Sequence, residues 1–266
     1  DNSYSIAKVQ SGKMEVEVED LSFAYCTECL VSSNDLNRKD LREELLDKGN
    51  SFVMAGSKTR AKIHIHTNFP AEVFNICSKY GTVKDHKTDD MRIQQESAKG
   101  KQTQKIAIVT DSGADIPPSA DNLNIHVVPV RYHFGNTGYI DKVSQTTEEF
   151  YKELKTNPVH PKTSQPTPGD FRRQYQFLST HYKSVVSIHL PQKLSGTMQS
   201  AQNAAGRVPE SSTTIIDSLN ASVGQGLLVQ YAAELADRDY SHDDIIQKVR
   251  EMIPKTTVFV AVYDLT

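Results

Sequence analysis

The chain lacks any apolar run long enough to cross a bilayer, any strong excess of charge, and enough cysteine to staple a fold. A spanning helix needs about 20 consecutive apolar residues, and nothing in the 266 residues approaches that. The N-terminus lacks the basic-then-apolar pattern of a secretion signal, so no stable membrane insertion is expected. A formal net charge of −3 offers no attraction for a polyanion, so no nucleic-acid partner is expected. The three cysteines, Cys26, Cys29 and Cys77, are odd in number and at no disulfide-framework spacing. They point to a cytoplasmic location. No Gly-rich phosphate loop and no clustered Lys is present, so no nucleotide site is expected. There are no internal repeats and no G-x-S-x-G serine elbow.

What is present suits a globular protein, with 24% charged and 37% hydrophobic residues. The chain starts DNSYSIAKVQSGK and stops at TTVFVAVYDLT, inside or just after an apolar β-type run, which reads as a segment of something longer. The polar stretch from about Ile93 to Gln104 reads as a linker. The expected division is 14–94, a linker over 95–104, and 105–266.

Before the linker, six elements follow in order. Leu21 to Val31 reads as a strand, and Asn37 to Lys48 as a helix closed by Gly49. Ser51 to Ala55 and Ala61 to Thr67 read as strands around the turn GSKT. Pro70 to Tyr80 reads as a helix, with Pro70 in its first turn, and Thr82 to Thr88 as a last strand. That β-α-β-β-α-β order is the split arrangement of the ferredoxin-like fold, in which the first and third strands are neighbours.

After the linker, strands are expected at Lys105 to Thr110, Asn124 to Tyr132, from Ser184, over TTIID and at Thr257 to Val262. Helices are expected at Thr147 to Lys155, Pro168 to His181, near Ser195, Ala221 to Arg238 and Asp243 to Met252. This alternation predicts an α/β domain with a mainly parallel sheet.

Two sets of residues carry chemistry. In AKIHIHT, alternation puts His64 and His66 on one face and Ile63 and Ile65 on the other. Cys26, on the neighbouring strand, shares the histidines' face, and Glu28 alternates onto it as well. A thiolate and two imidazoles are ligands that zinc accepts. The plain alternative is that the histidines are solvated and Cys26 is a small buried residue. Cys77 reads as core, and the CTEC spacing carries little weight, because Cys26 and Cys29 face opposite ways.

The second set lies at the carboxyl ends of the later strands, where α/β sheets bind ligands. TDSGAD follows the first of them, TSQPTP precedes a helix, and SGT opens another. Helix N-termini and Ser/Thr hydroxyls favour a carboxylate over a polyphosphate. Each segment alone also reads as an ordinary turn or cap, such as Thr167 before Pro168.

KIAIVTDSGADI, TSQPTPGDF, LSGTMQSAQNAA and IIDSLNASVGQGLLVQYAAELA resemble the DegV family of bacterial fatty-acid-binding proteins, from about Lys105 onward. The resemblance implies a long-chain fatty acid as partner, held at its carboxylate by Thr163 and Ser195, with Ser164 and Gly196 contributing backbone N–H groups. YCTECLV, LREELLDKGNSFVMAG and AKIHIHTNFPAEVF resemble the middle domain of a fatty acid kinase subunit, related to dihydroxyacetone kinases. That resemblance implies a zinc-linked site at Cys26, His64 and His66. YCTECL departs from the usual YCTEF at Cys29, which leaves a fourth partner open.

Together these imply a ferredoxin-like split domain followed by a truncated DegV-type domain. The DegV part would present a fatty acid to a kinase domain, in cis or in trans, for acyl-phosphate formation. No catalytic residue is expected in this segment itself. The alternatives are a dihydroxyacetone-kinase-like component acting on a small ketone, and a structural scaffold.

Overall fold

The computed structural model describes residues 23–91, 105–123, 125–135 and 137–261. The linker expected at 95–104 lies outside the described residues. So do residues 14–22.

The first part holds β1 (Tyr25–Ser32), α1 (Arg38–Leu45), β2 (Asn50–Gly56), β3 (Arg60–Thr67), α2 (Pro70–Tyr80) and β4 (Thr82–Asp90). Its sheet has the order β2-β3-β1-β4, antiparallel throughout, as the split pattern requires. Cys29, Val31, Ile63 and Ile65 face α1 and α2, burying against Leu41, Leu45, Val73 and Phe74. Cys29 Sγ and Cys77 Sγ lie 3.8 Å apart as free thiols in this core. Contact with Cys77 and burial push the Cys29 thiol up, so it stays protonated.

The first helix is shorter than expected. Asn37 caps it by accepting from the Asp40 N–H, but it ends at Leu45. Gly49 is therefore not its closing residue. A Cβ there would sit 1.9 Å from the His66 carbonyl oxygen, so Gly49 is what lets the chain pass directly behind the end of β3.

The second part is a three-layer α/β unit. Its parallel sheet has the order β11-β10-β5-β6, made of β5 (Ile106–Asp111), β6 (Ile125–Val128), β10 (Ser184–His189) and β11 (Thr213–Asp217). The central strands β5 and β10 are buried along their whole length, as expected of strands covered on both faces. One face packs on α6 (Ser222–Asp237) and α7 (His242–Met252). The other packs on α4 (Pro168–Ser179) and α5 (Thr197–Ala205). A capping box between Thr146 and Glu149 opens α3 (Thr147–Thr156), and one between Thr167 and Asp170 opens α4.

The stretch 124–132 does not form one strand. Pro129 has no N–H to continue a ladder, and the chain leaves the parallel sheet there. It resumes as β7 (Arg131–Phe134) in a small antiparallel sheet with β8 (Thr137–Ile140) and β9 (Lys162–Ser164). Tyr132 and Tyr139 stack there at 5.1 Å, with Phe134 and Phe150 edge-on to the pair. The strand expected from Thr257 does not form over the described residues up to 261. Phe259 and Val260 stand 92% and 75% exposed.

The two parts touch. Arg131 donates to the His86 carbonyl at 3.3 Å and Asn75 to Glu149 at 3.1 Å. Val143 packs against the first core.

Candidate functional site

β1 and β3 are in direct register, with Cys26 opposite His66 and Glu28 opposite His64. Alternation then puts all four side chains on the face away from the helices. The metal-binding atoms of Cys26, His64 and His66 all lie within 4.8 Å of one another, and all three residues are half-buried. The two imidazole rings meet edge-on at 5.1 Å. Glu28 lies beside this set. Its Oε1 contacts His64 Nδ1 at 3.1 Å and its Oε2 contacts Lys62 Nζ at 3.2 Å. Burial acts to raise the Glu28 carboxyl, but contacts with His64 and Lys62, with Lys87 nearby, outweigh it and hold it below its ordinary value. Cys26 Sγ approaches that same His64 Nδ1 at 3.8 Å, so Glu28 and Cys26 meet at one ring nitrogen. Cys29 points into the core, so it is not the open fourth partner.

The second set gathers at the carboxyl ends of β5 and β10. Thr163 and Ser164 are not in a loop. They lie on β9, paired with Tyr132 and Arg131, and are exposed. Ser195 precedes α5 instead of starting it. Its Oγ accepts from the Thr197 N–H at 3.2 Å and bonds Thr197 Oγ1 at 2.8 Å. The two segments meet through Gln165. Its side-chain amide occupies the space a Cβ on Gly196 would need, at 2.2 Å, and its Nε2 donates to Ser200 Oγ at 3.5 Å. A side chain at Gly196 would displace the Gln165 amide from this position.

Sequence reasoning missed what anchors these segments. Asp111 is fully buried. Its Oδ2 accepts from the Leu190 N–H at 3.0 Å and Gln225 Nε2 at 3.2 Å, and contacts His189 Nδ1 at 3.0 Å. Its Oδ1 accepts from the Gly113 N–H at 3.0 Å. The chain continues from His189 Nε2 to Ser187 Oγ at 2.7 Å and on to Tyr175 OH at 2.8 Å. The order Asp–His–Ser is that of a hydrolase triad, but Ser187 is completely buried, so no substrate reaches it. The network ties the loop after β5 to the segment leading into Ser195. The alternation in SIH, which puts Ser187 and His189 on one face, was the available signal. Asp115 is likewise engaged, by Ser222 Oγ at 2.7 Å and Lys142 Nζ at 3.0 Å.

Residues 22–98 match a family described as the middle domain of proteins like the A component of fatty acid kinase. A DegV domain-containing protein of Staphylococcus aureus (strain MRSA252) is 35% identical over 162 residues, 60% of this chain and 57% of the relative. The chain therefore spans little more than half the length of that relative. Among solved structures, DegV of Bacillus subtilis, described as a fatty acid binding protein, is 35% identical with a TM-score of 0.54, covering 57% of this chain and 54% of its own. A DegV family protein from Thermus thermophilus, described by its fatty acid binding, is 33% identical with a TM-score of 0.53, covering 56% and 54%. No helix among the described residues is long and apolar enough to cross a membrane. Residues 105–266, more than half of the chain, match the model of the DegV family, and the chain belongs to that family.

Proposed function

We propose that the second part, 105–266, binds a long-chain fatty acid and presents its carboxylate to an ATP-binding kinase domain, in cis or in trans, within a fatty acid kinase system. The observation that carries this reading is the meeting of the TSQP and LSGT segments through Gln165 and Gly196. It occurs in a fold whose solved relatives are described as fatty acid binding. Thr163 and Ser195 supply hydroxyls, and Ser164 and Gly196 supply backbone N–H groups. A carboxylate is costly to remove from water without such donors. The apolar tail supplies most of the affinity, at about 0.8 kcal/mol per buried CH₂. Transfer then joins a carboxylate oxygen to the terminal phosphorus of ATP, and ADP leaves. The kinase domain performs that step, while this chain holds and orients the acid.

We propose further that the first part, 14–94, set off by the linker at 95–104, is a non-catalytic kinase-subunit domain that carries zinc. Cys26, His64 and His66 would hold the ion, and Glu28 would orient His64. The donor set fits, because one thiolate and two imidazoles stand on one face within reach of a single ion. Zinc would tie β1 to β3 there.

The test is lipid extraction from purified protein, with elemental analysis alongside. Fatty acid should be recovered from the wild type and lost from the Thr163→Ala/Ser195→Ala double variant. About one zinc per chain should be present, and Cys26→Ser should lose it. Lipid unchanged in the double variant overturns the head-group assignment. A sugar-like ligand trapped at His64 or His66 would instead favour the small-ketone reading.

A further inference from the structure

We propose that the seam between the two parts is a second binding site, for a singly charged carboxylate carried on an apolar body of medium length. A cleft of about 450 Å³ opens there, within the range of about 300–1,000 Å³ that small-molecule sites occupy. Tyr25 and His86 line it from the first part, and Val128, Ile140, Val143 and Phe177 from the second. None of Thr163, Ser164, Ser195 or Gly196 is among its lining residues, although Arg131 is the ladder partner of Ser164.

The cations of the cleft are not equally engaged. Lys87, Arg131, Lys142 and Arg173 line the cleft against Asp141 and Asp170. Asp115, just outside, takes Lys142 at 3.0 Å. Lys87 stands near Glu28, so the four cations about the cleft are matched in number by carboxylates. His86 adds no charge near neutral pH, because burial and Arg131 push it down to about 4.

Of the two arginines, Arg131 is the more loosely held. Asp170 is engaged at both oxygens: its Oδ2 accepts from the Thr167 N–H at 2.9 Å and the Thr167 hydroxyl at 2.8 Å, and its Oδ1 is held by Arg173 at 2.5 Å. Arg131 reaches that same Oδ1 only at 3.5 Å and the His86 carbonyl at 3.3 Å. A guanidinium has five N–H donors in a planar fork suited to a carboxylate. Arg131 keeps most of them available at the mouth of a partly apolar cleft. An anion with an apolar body matches both features, whereas a neutral or polyanionic ligand matches only one or neither.

Calorimetric titration of the delipidated full chain with octanoate tests this, in the Thr163→Ala/Ser195→Ala background so that the head-group segments do not contribute. Octanamide serves as the uncharged control. Octanoate should bind this background, and octanamide at least about tenfold more weakly, a difference of about 1.4 kcal/mol. Arg131→Gln should weaken octanoate by a similar factor. Val127 also lines the cleft and is 42% exposed, so Val127→Glu and Val127→Lys alter the local charge without disturbing the core. The first should weaken octanoate and the second should not. Equal binding of octanamide, indifference to Val127→Glu, or no octanoate binding in the background overturns the proposal. None of these results bears on lipid retention at Thr163 and Ser195.

Discussion

His86 is buried on β4 with its ring edge-on to Phe74 at 4.6 Å. Burial, reinforced by Arg131, lowers it from 6.5 to about 4. The folded state therefore keeps His86 neutral where the unfolded chain protonates it. Between those values the unfolded chain binds more protons, so its stabilising contribution is full above 6.5 and is lost as pH falls toward 4. The loss amounts to roughly 3 kcal/mol across that window. Urea unfolding of the wild type from pH 7 to 4 should show this decline, and His86→Leu should flatten much of it. An identical pH slope in the variant would mean that other groups control acid stability.

At the scale of elements, the anchor of the ligand end is Asp111. The last residue of β5 holds the amide that follows β10, the turn at Gly113 and the α6 side chain of Gln225. Asp111→Asn turns an acceptor surrounded by donors into a group with a donor face, leaving buried donors unpaired. We expect a loss of roughly 3 kcal/mol in stability, read from chemical denaturation. The variant should also retain less fatty acid, because the segment leading into Ser195 is released. A variant as stable as wild type would show that Asp111 is not the clamp. How far such features were legible follows from their range. Pro70–Tyr80 and Thr213–Asp217 were readable because caps and short apolar runs are local signals. The shared face of Cys26, His64 and His66 was readable because alternation and the split fold's strand order suffice. The break at Pro129 carried a local signal, the missing proline N–H, that the reading of 124–132 as one strand passed over. Two features depended on tertiary contact and were not readable: TSQPTP begins on a strand, and Gly49 serves a close approach to His66 and not a helix end.

For the whole molecule, the decisive feature is that each part buries its own core. The first closes Val31, Ile63 and Ile65 under α1 and α2. The second closes both faces of its parallel sheet with separate helix pairs. The seam between them holds a cleft, the packing of Val143 on the first core and a few polar contacts, such as Asn75 to Glu149. Interfaces of this kind couple parts weakly, so separate unfolding is the expectation. The Cys–His set joins only β1 and β3, both in the first part. A chelator should therefore lower the melting temperature of one calorimetric transition and leave the other in place, and Cys26→Ser should do the same without chelator. Added fatty acid should raise the other transition. If chelation instead moved both transitions together, the seam would have to transmit the loss. The two parts would then be a single cooperative unit in which metal and lipid sites answer to each other.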